Sequence, residues 1–133
     1  MLTLTLAQWR ALTDHLSRCL PEEACGLLGG QTGVVHAVYP VENRLHSPVA
    51  YEMDPARQIE AMMAIEEAGG EITGIFHSHP AGPAEPSPTD IAQAYYPDSL
   101  YLICAPDPTG AWRGRAFRIA AGRVAEVPVA IGE

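Results

Sequence analysis

The amino-acid sequence predicts an α/β domain in which helices flank a single mixed β-sheet. Apolar, β-branched runs typical of strands alternate along the chain with segments whose apolar residues recur at helical spacing. A length of 133 residues suits one domain, residues 1–133, that is large enough to bury a core. The hydrophobic content of 47% is also that of a typical globular protein.

The predicted strands and helices are joined by short connections rich in glycine, proline and acidic residues. In chain order the elements are the strand Met1–Leu6, the helix Ala7–Leu20, the strands Ala24–Leu28, Val34–Val41 and Pro48–Met53, the helix Pro55–Ala68, the strand Ile72–Phe76, the helix Pro88–Tyr96, and the strands Leu100–Ala105, Ala111–Ala120 and Arg123–Val129.

Periodicity and capping residues predict the helices. Pro21 ends the first helix, whereas Asp54 followed by Pro55 and Ser87 followed by Pro88 are N-cap and first-turn pairs that begin the other two. Apolar residues at helical spacing are expected to face the core. These are Trp9, Leu12, Leu16 and Leu20 in the first helix, and Ile59, Met62, Met63 and Ile65 in the second.

Alternation and turn residues predict the strands. Leucine and threonine alternate at the N-terminus, as in a strand with one buried face, whereas Leu100–Ala105 is continuously apolar and therefore buried on both faces. The turns are expected at Gly29, Gly30 and Gly33, at Asp107–Gly110, and at Ala121 and Gly122.

Composition and charge exclude several classes of function. A net charge of −8 argues against a nucleic-acid partner, since phosphates favour basic surfaces. No apolar run approaches the roughly 20 residues that span a membrane, and no signal peptide is apparent, so we expect a cytoplasmic protein without a membrane partner. Three cysteines without a Cys-x-x-Cys pair favour reduced thiols and argue against a thiolate zinc site. Cys25 is expected to be a small core residue.

Two histidines stand at the end of the predicted central strand. Side chains alternate along a strand, so His77 and His79 share one face while Ser78 points to the other. After Pro80 and a loop, the helix that begins at Ser87 carries Asp90 in its first turn, where the carboxylate can lean back toward the strand end. Two imidazoles and one carboxylate would leave a tetrahedral zinc ion one position for water, which is the layout of a catalytic site.

Each half of this pattern has a plainer explanation. The histidines can be ordinary hydrogen-bonded polar residues, and Ser87 with Asp90 can be no more than a capping box. A metal, however, accounts for all three candidate ligands at once.

The motif His77-x-His79-Pro80, six residues and then Ser87-x-x-Asp90, with Glu23 three residues before Gly26, resembles the signature of the JAMM (MPN+, Mov34/PAD-1) metalloproteases. The resemblance covers nearly the whole chain and is strongest with the short prokaryotic, single-domain members. It implies the MPN/JAMM fold, which is similar to that of the cytidine deaminases. A zinc deaminase itself is not expected, because no Pro-Cys-x-x-Cys follows the histidines.

The resemblance also implies roles for the motif residues. His77, His79 and Asp90 would hold one zinc ion per chain, and Glu23 would be the general base for water whose pKa the metal lowers toward about 7. Ser87 would donate to the developing oxyanion or only cap its helix, since one hydroxyl is not expected to do both easily. Glu22 would face away as a solvated charge, and Ser78 would be structural.

The implied activity is that of a zinc (iso)peptidase that cuts after the C-terminal Gly-Gly of a ubiquitin-like or sulfur-carrier protein. The alternative is a non-catalytic MPN scaffold, which the complete motif disfavours. By their place in the chain, Asn43 and Val49–Met53 are expected to line the groove for a substrate tail. The remaining histidines, His15, His36 and His46, are expected to be structural or exposed. The oligomeric state stays open, with a homodimer among the possibilities.

Overall fold

The structure, a computed structural model, describes residues 1–133 and contains eight strands and three helices. The elements are β1 (Leu2–Thr5), α1 (Leu6–Cys19), β2 (Cys25–Gln31), β3 (Val34–Val41), α2 (Pro55–Glu67), β4 (Glu71–Ser78), α3 (Pro88–Ala92), β5 (Leu100–Pro106), β6 (Trp112–Ala120), β7 (Arg123–Val127) and β8 (Val129–Gly132). The expectation of an α/β fold with one mixed sheet is confirmed.

All eight strands form one sheet in the order β7-β6-β5-β4-β2-β3-β1-β8. β4 lies near the middle, antiparallel to β2 and parallel to β5. β7 and β8 are at opposite edges, yet only Pro128 separates them in the chain. The sheet therefore coils until its two edges approach each other at Pro128.

The coiled sheet separates two apolar cores. α1 packs Leu12 and Leu16 into the first core, and α2 packs Ala61 and Ile65 into the second. Because side chains alternate along β4, Phe76 belongs to the first core and Ile75 to the second. His77 therefore points toward the second core and Ser78 toward the first.

The second and third helices begin as predicted, the first begins at Leu6 instead of Ala7, and the helix ends and faces differ in part. Thr5, Asp54 and Ser87 are the N-caps of α1, α2 and α3. α3 ends at Ala92 instead of Tyr96, with Gln93 as its C-cap. In α2, Ile59 and Met63 are each 57% exposed, because Ala61 and Ile65 define the buried face on the opposite side. The expectation that Ile59 and Met63 face the core was therefore wrong, as it was for Leu20 after the first helix, which is 48% exposed.

Two strand predictions were also wrong. Pro48–Met53 is not a strand, and its only pairing is an isolated bridge between Asn43 and Met53. Gly29 and Gly30 lie within β2, at a bulge in its pairing, and the hairpin turns instead at Thr32 and Gly33. Gly33 has a φ angle of 79°, which a glycine adopts without strain, whereas Thr32 has a φ angle of 51°, which costs a β-branched residue energy.

The C-terminal segment Arg123–Val129 divides at Pro128, which cannot donate to a ladder. Its first part pairs with β6 as expected, whereas the residues after Pro128 form β8 beside β1. No helix of the structure is long and apolar enough to cross a membrane.

Candidate active site

The end of β4 brings the two histidines together. His77 and His79 point the same way, as predicted, and their Nε2 atoms are 3.0 Å apart. The Nδ1 atom of His79 lies 2.8 Å from the carbonyl oxygen of Pro83, to which it can only donate. That hydrogen bond places the proton of a neutral His79 ring on Nδ1 and leaves the Nε2 lone pair directed at His77.

Asp90 completes a triangle with these imidazoles. Its Oδ2 atom is 3.2 Å from Nε2 of His77 and 3.2 Å from Nε2 of His79. The same oxygen accepts a hydrogen bond of 2.9 Å from the amide of Ser87. The loop after Pro80 therefore returns the carboxylate to the strand end, as the sequence predicted.

Ser87 caps α3, because its Oγ accepts a hydrogen bond of 3.1 Å from the amide of Asp90. The capping box is therefore present, and it holds Asp90 in the triangle at the same time. Capping uses a lone pair of the hydroxyl and leaves its hydrogen free to donate. The cap alone therefore does not prevent the hydroxyl from donating, and the oxyanion role of Ser87 stays a prediction.

Glu23 lies between α1 and β2 and is only 6% exposed. Its carboxylate and the two imidazoles form a cluster in which all three ligand atoms lie within 4.8 Å of one another. Burial raises the pKa of Glu23 to about 7, with His79 acting against this shift and Asp90 adding to it. Its neighbour Glu22 points away, as predicted, and bonds Nδ1 of His46 at 3.0 Å.

Burial and pairing compete in the triangle itself. Burial alone would raise the pKa of Asp90, but hydrogen bonds from His77 and His79 outweigh it and hold this pKa well below its usual range. Burial lowers the pKa of His77. It acts in the same direction on His79, but there Asp90 and the Pro83 carbonyl prevail and raise the pKa. The site thus favours an ionised carboxylate.

The donor set fits a zinc ion. Ligands about 2.0–2.1 Å from a tetrahedral zinc are about 3.3 Å apart, close to the observed edges of 3.0 and 3.2 Å. Glu23 is a second carboxylate within reach of the imidazoles. Asp90 fits the third ligand position better, because its oxygen is at ligand-to-ligand distance from both imidazoles.

The triangle opens into a cavity of about 750 Å³. Pro48–Glu52 form one wall, and residues of the loop between Pro80 and Pro86 form another. The ring of Tyr51 stacks on His77 with centroids 4.6 Å apart. Val49–Glu52 therefore line the groove as expected, but Met53 and Asn43 do not. Asn43 is buried instead, in hydrogen bonds described below.

The other predicted residues stay outside the cluster. His36 is exposed, whereas His15 is half-buried on α1 with its Nε2 3.4 Å from the carbonyl oxygen of Cys25. Cys25 is fully buried, as a core residue should be. Sequence reasoning missed the stacking of Tyr51 and the anchoring role of the Pro83 carbonyl, because both depend on loops that lack a regular side-chain period.

Fold and site, together with relatives that are named as peptidases, define the class of this protein as a hydrolase. The chain belongs to the family described as prokaryotic homologs of the JAB domain, whose model matches residues 6–120. The resemblance to the JAMM/MPN+ proteins is thereby confirmed.

Curated relatives carry related names. The chain is 42% identical over 104 residues to a desampylase of Haloferax volcanii, across 74% of this chain and 75% of that protein. It is 35% identical over 125 residues to the CysO-cysteine peptidase of Mycobacterium tuberculosis, across 92% and 86% of the two chains. It is 44% identical over 81 residues to a probable TtuB-protein conjugate cleaving protease of Thermus thermophilus, across 60% and 54%.

Solved structures have the same fold. A protein from Desulfitobacterium hafniense superposes with a TM-score of 0.89 at 38% identity, covering 100% of this chain and 94% of that one. A JAB1/MPN domain protein from Archaeoglobus fulgidus superposes with a TM-score of 0.64 at 17% identity, covering 100% of both chains.

Proposed function

We propose that this chain is a zinc-dependent (iso)peptidase that hydrolyses the amide bond after the C-terminal Gly-Gly of a ubiquitin-like or sulfur-carrier protein. The observation that carries the proposal is the triangle of two imidazole nitrogens and one carboxylate oxygen, with edges of 3.0–3.2 Å, beside a buried glutamate. A non-catalytic scaffold has no use for such a cluster.

His77, His79 and Asp90 would hold the zinc ion through Nε2, Nε2 and Oδ2. Zinc, when bound, lowers the pKa of a water molecule and polarises a carbonyl oxygen. The Pro83 carbonyl and the Ser87 amide orient His79 and Asp90 from the outer side. Such partners keep ligands in place and are part of the site.

Glu23 would move the proton. Its carboxylate takes a proton from the attacking water as the water oxygen bonds to the scissile carbonyl carbon. The same carboxyl then delivers that proton to the leaving nitrogen as the carbon–nitrogen bond breaks. The carboxylate is buried beside the two imidazoles, within reach of a water bound at that point.

Ser87 would donate its free hydroxyl hydrogen to the substrate oxygen as negative charge develops there. Its Oγ is fixed by the hydrogen bond from the Asp90 amide, so the donor is oriented before the substrate arrives. Capping thus supports the oxyanion role.

The two walls of the cavity suit an extended chain terminus. Val49–Glu52 form no ladder, and the main chain of Tyr51 makes no hydrogen bond within the chain, so a substrate tail has main-chain groups to bond there. A glycine lets a backbone approach closely because it has no side chain. The names of the relatives support this substrate class, since they describe cleavage of a TtuB-protein conjugate and of CysO-cysteine.

The test uses carrier proteins with a C-terminal Gly-Gly followed by a further residue, incubated with enzyme and zinc. We expect mass spectrometry to find cleavage after Gly-Gly, and neither Ala-Ala nor Gly-Val in its place should support it. A chelator should abolish the reaction. Cleavage that ignores the tail sequence, or that occurs within folded regions, would instead indicate a general metallopeptidase.

The adjacent glutamates provide a matched control. Glu23→Gln should keep the fold and the zinc but lose at least about 10²-fold in kcat, the usual contribution of a general base. Glu22→Gln, which changes only the contact with His46, should remain close to wild type. Equal effects of the two changes would mean that the base has been assigned wrongly.

A further inference from the structure

The buried side chain of Asn43 joins two parts of the site. Its Nδ2 donates to the carbonyl oxygen of Glu23 and to that of Ala50, each at 3.0 Å. Its Oδ1 accepts from the amide of Leu45 at 3.1 Å and from that of Glu52 at 3.2 Å. All four hydrogen bonds available to a carboxamide are therefore made.

The hydrogen bonds of Asn43 hold the cavity wall formed by Pro48–Glu52, which is not paired with a neighbouring strand. Pro48–Glu52 forms no ladder, and its one backbone hydrogen bond to the neighbouring segment runs from the amide of Arg44 to the carbonyl oxygen of Glu52 at 2.9 Å. Its other main-chain groups therefore depend on side chains. Asn43 bonds two of them. The amide of Glu23 donates to the carbonyl oxygen of Ser47 at 2.8 Å, which adds a second connection between the same two segments.

We infer that Asn43 is a positioning residue that holds the backbone of Glu23 and the substrate wall at Ala50–Glu52 as one unit. This inference rests on the proposed function, because it assigns Asn43 a role through the base of that reaction. The carboxylate of Glu23 reaches the imidazoles from a segment between α1 and β2, and its main-chain amide and carbonyl are both bonded to the 43–52 segment. A substrate tail that contacts this wall therefore also affects the position of the Glu23 backbone.

Other residue types cannot replace this side chain. Aspartate has the same shape but no donor, and its carboxylate would face the carbonyl oxygens of Glu23 and Ala50. Serine is too small to span the four groups. Asn43→Asp and Asn43→Ser therefore break the connection in two different ways.

The kinetic test compares both variants with wild type at equal zinc content. We expect kcat to fall about 10²-fold, the usual cost of a misplacement near 1 Å, with a smaller change in KM. In a Glu23→Gln background the same substitutions should lower kcat by no more than about twofold further, because the group they position is already lost. A purely structural role for Asn43 would reduce activity equally in both backgrounds.

The matched control is Thr73→Val, which removes another buried hydrogen bond. The Oγ1 of Thr73 accepts a hydrogen bond of 2.7 Å from the amide of Gly33. Thr73 lies on β4, four residues and about 13 Å from His77. This variant should lose stability but retain kcat per folded molecule.

Hydrogen exchange tests the inference without activity. In both Asn43 variants the amides of Glu23, Leu45 and Glu52 should exchange at least about tenfold faster, whereas the amide of Ser78 should not change. Thr73→Val should leave those three amides protected. If wild type cleaves no Gly-Gly carrier, the proposed function fails, and the exchange data still decide the role of Asn43. Near-wild-type kcat in folded, zinc-loaded Asn43→Asp, or unchanged exchange at Glu23, would overturn the inference.

Discussion

The hydroxyl of Ser78 accepts a hydrogen bond of 2.8 Å from the backbone amide of Ala24. In return, the amide of Ser78 donates to the carbonyl oxygen of Ala24 at 3.0 Å. Ser78 stands between the two candidate zinc ligands, and Ala24 follows the candidate base. The reciprocal bonds therefore set the distance between the histidines and Glu23 through the main chain.

The triangle of ligands predicts the metal content. His77→Ala and Asp90→Ala should each lower bound zinc from about one per chain toward zero, because a three-ligand site does not tolerate the loss of a ligand. Elemental analysis after dialysis is the measurement. Glu23→Gln should keep its zinc, and so should the control His46→Ala, whose ring bonds Glu22 outside the cluster. Equal zinc in all variants would refute the site.

The two roles proposed for Ser87 can be separated by substitution. Ser87→Gly should cost only a few tenths of a kcal/mol in stability, because glycine is tolerated at an N-cap. It should nevertheless lose about 10²–10³-fold in kcat, the usual effect of removing an oxyanion donor. Ser87→Thr keeps the hydroxyl and should restore most of the activity. If Ser87→Gly turns over like wild type, the hydroxyl serves only as a cap.

Packing requires a glycine at position 26, three residues after Glu23. A β-carbon at Gly26 would overlap the ring of Phe76 and the carbonyl oxygen of Tyr39. Gly26→Ala should therefore lower the free energy of unfolding by about 1–3 kcal/mol or more, as overpacked core variants do. Urea denaturation is the measurement. Gly132→Ala, where a β-carbon meets nothing within 4 Å, should change stability by less than about 0.5 kcal/mol.

The cysteines should differ in reactivity. Burial raises the pKa of Cys25 to about 12, and that of Cys104 also rises because the thiol is fully buried. A raised thiol pKa leaves almost no thiolate at pH 8, and the thiolate is the reactive form. Burial also raises the pKa of Cys19, but this thiol is partly exposed, so iodoacetamide should modify Cys19 alone and slowly in native protein, and all three cysteines after denaturation. A native Cys19→Ser variant that still reacts would contradict this assignment.

Regular periodicity explains which elements could be predicted. β3 was predicted residue for residue, and the histidine-bearing strand and the starts of the second and third helices followed from alternation and caps. Pro48–Met53 looked like a strand because its composition is apolar enough, yet it has no neighbouring strand to pair with. The side chain of Asn43 instead makes hydrogen bonds to part of the backbone of this segment, and no local sequence pattern predicts such a contact.

The candidate site also has a part that the sequence predicts and a part that it does not. The sequence alone determined that His77 and His79 share a face, since alternation along a strand requires it, and that Asp90 follows a capping serine. Only the tertiary structure decided that Asp90 lies 3.2 Å from both imidazoles, that Glu23 is buried beside them, and that Asn43 joins Glu23 to the cavity wall. Those distances join segments far apart in the chain, and they depend on how the sheet coils and the loops close, which a local pattern of residues does not encode.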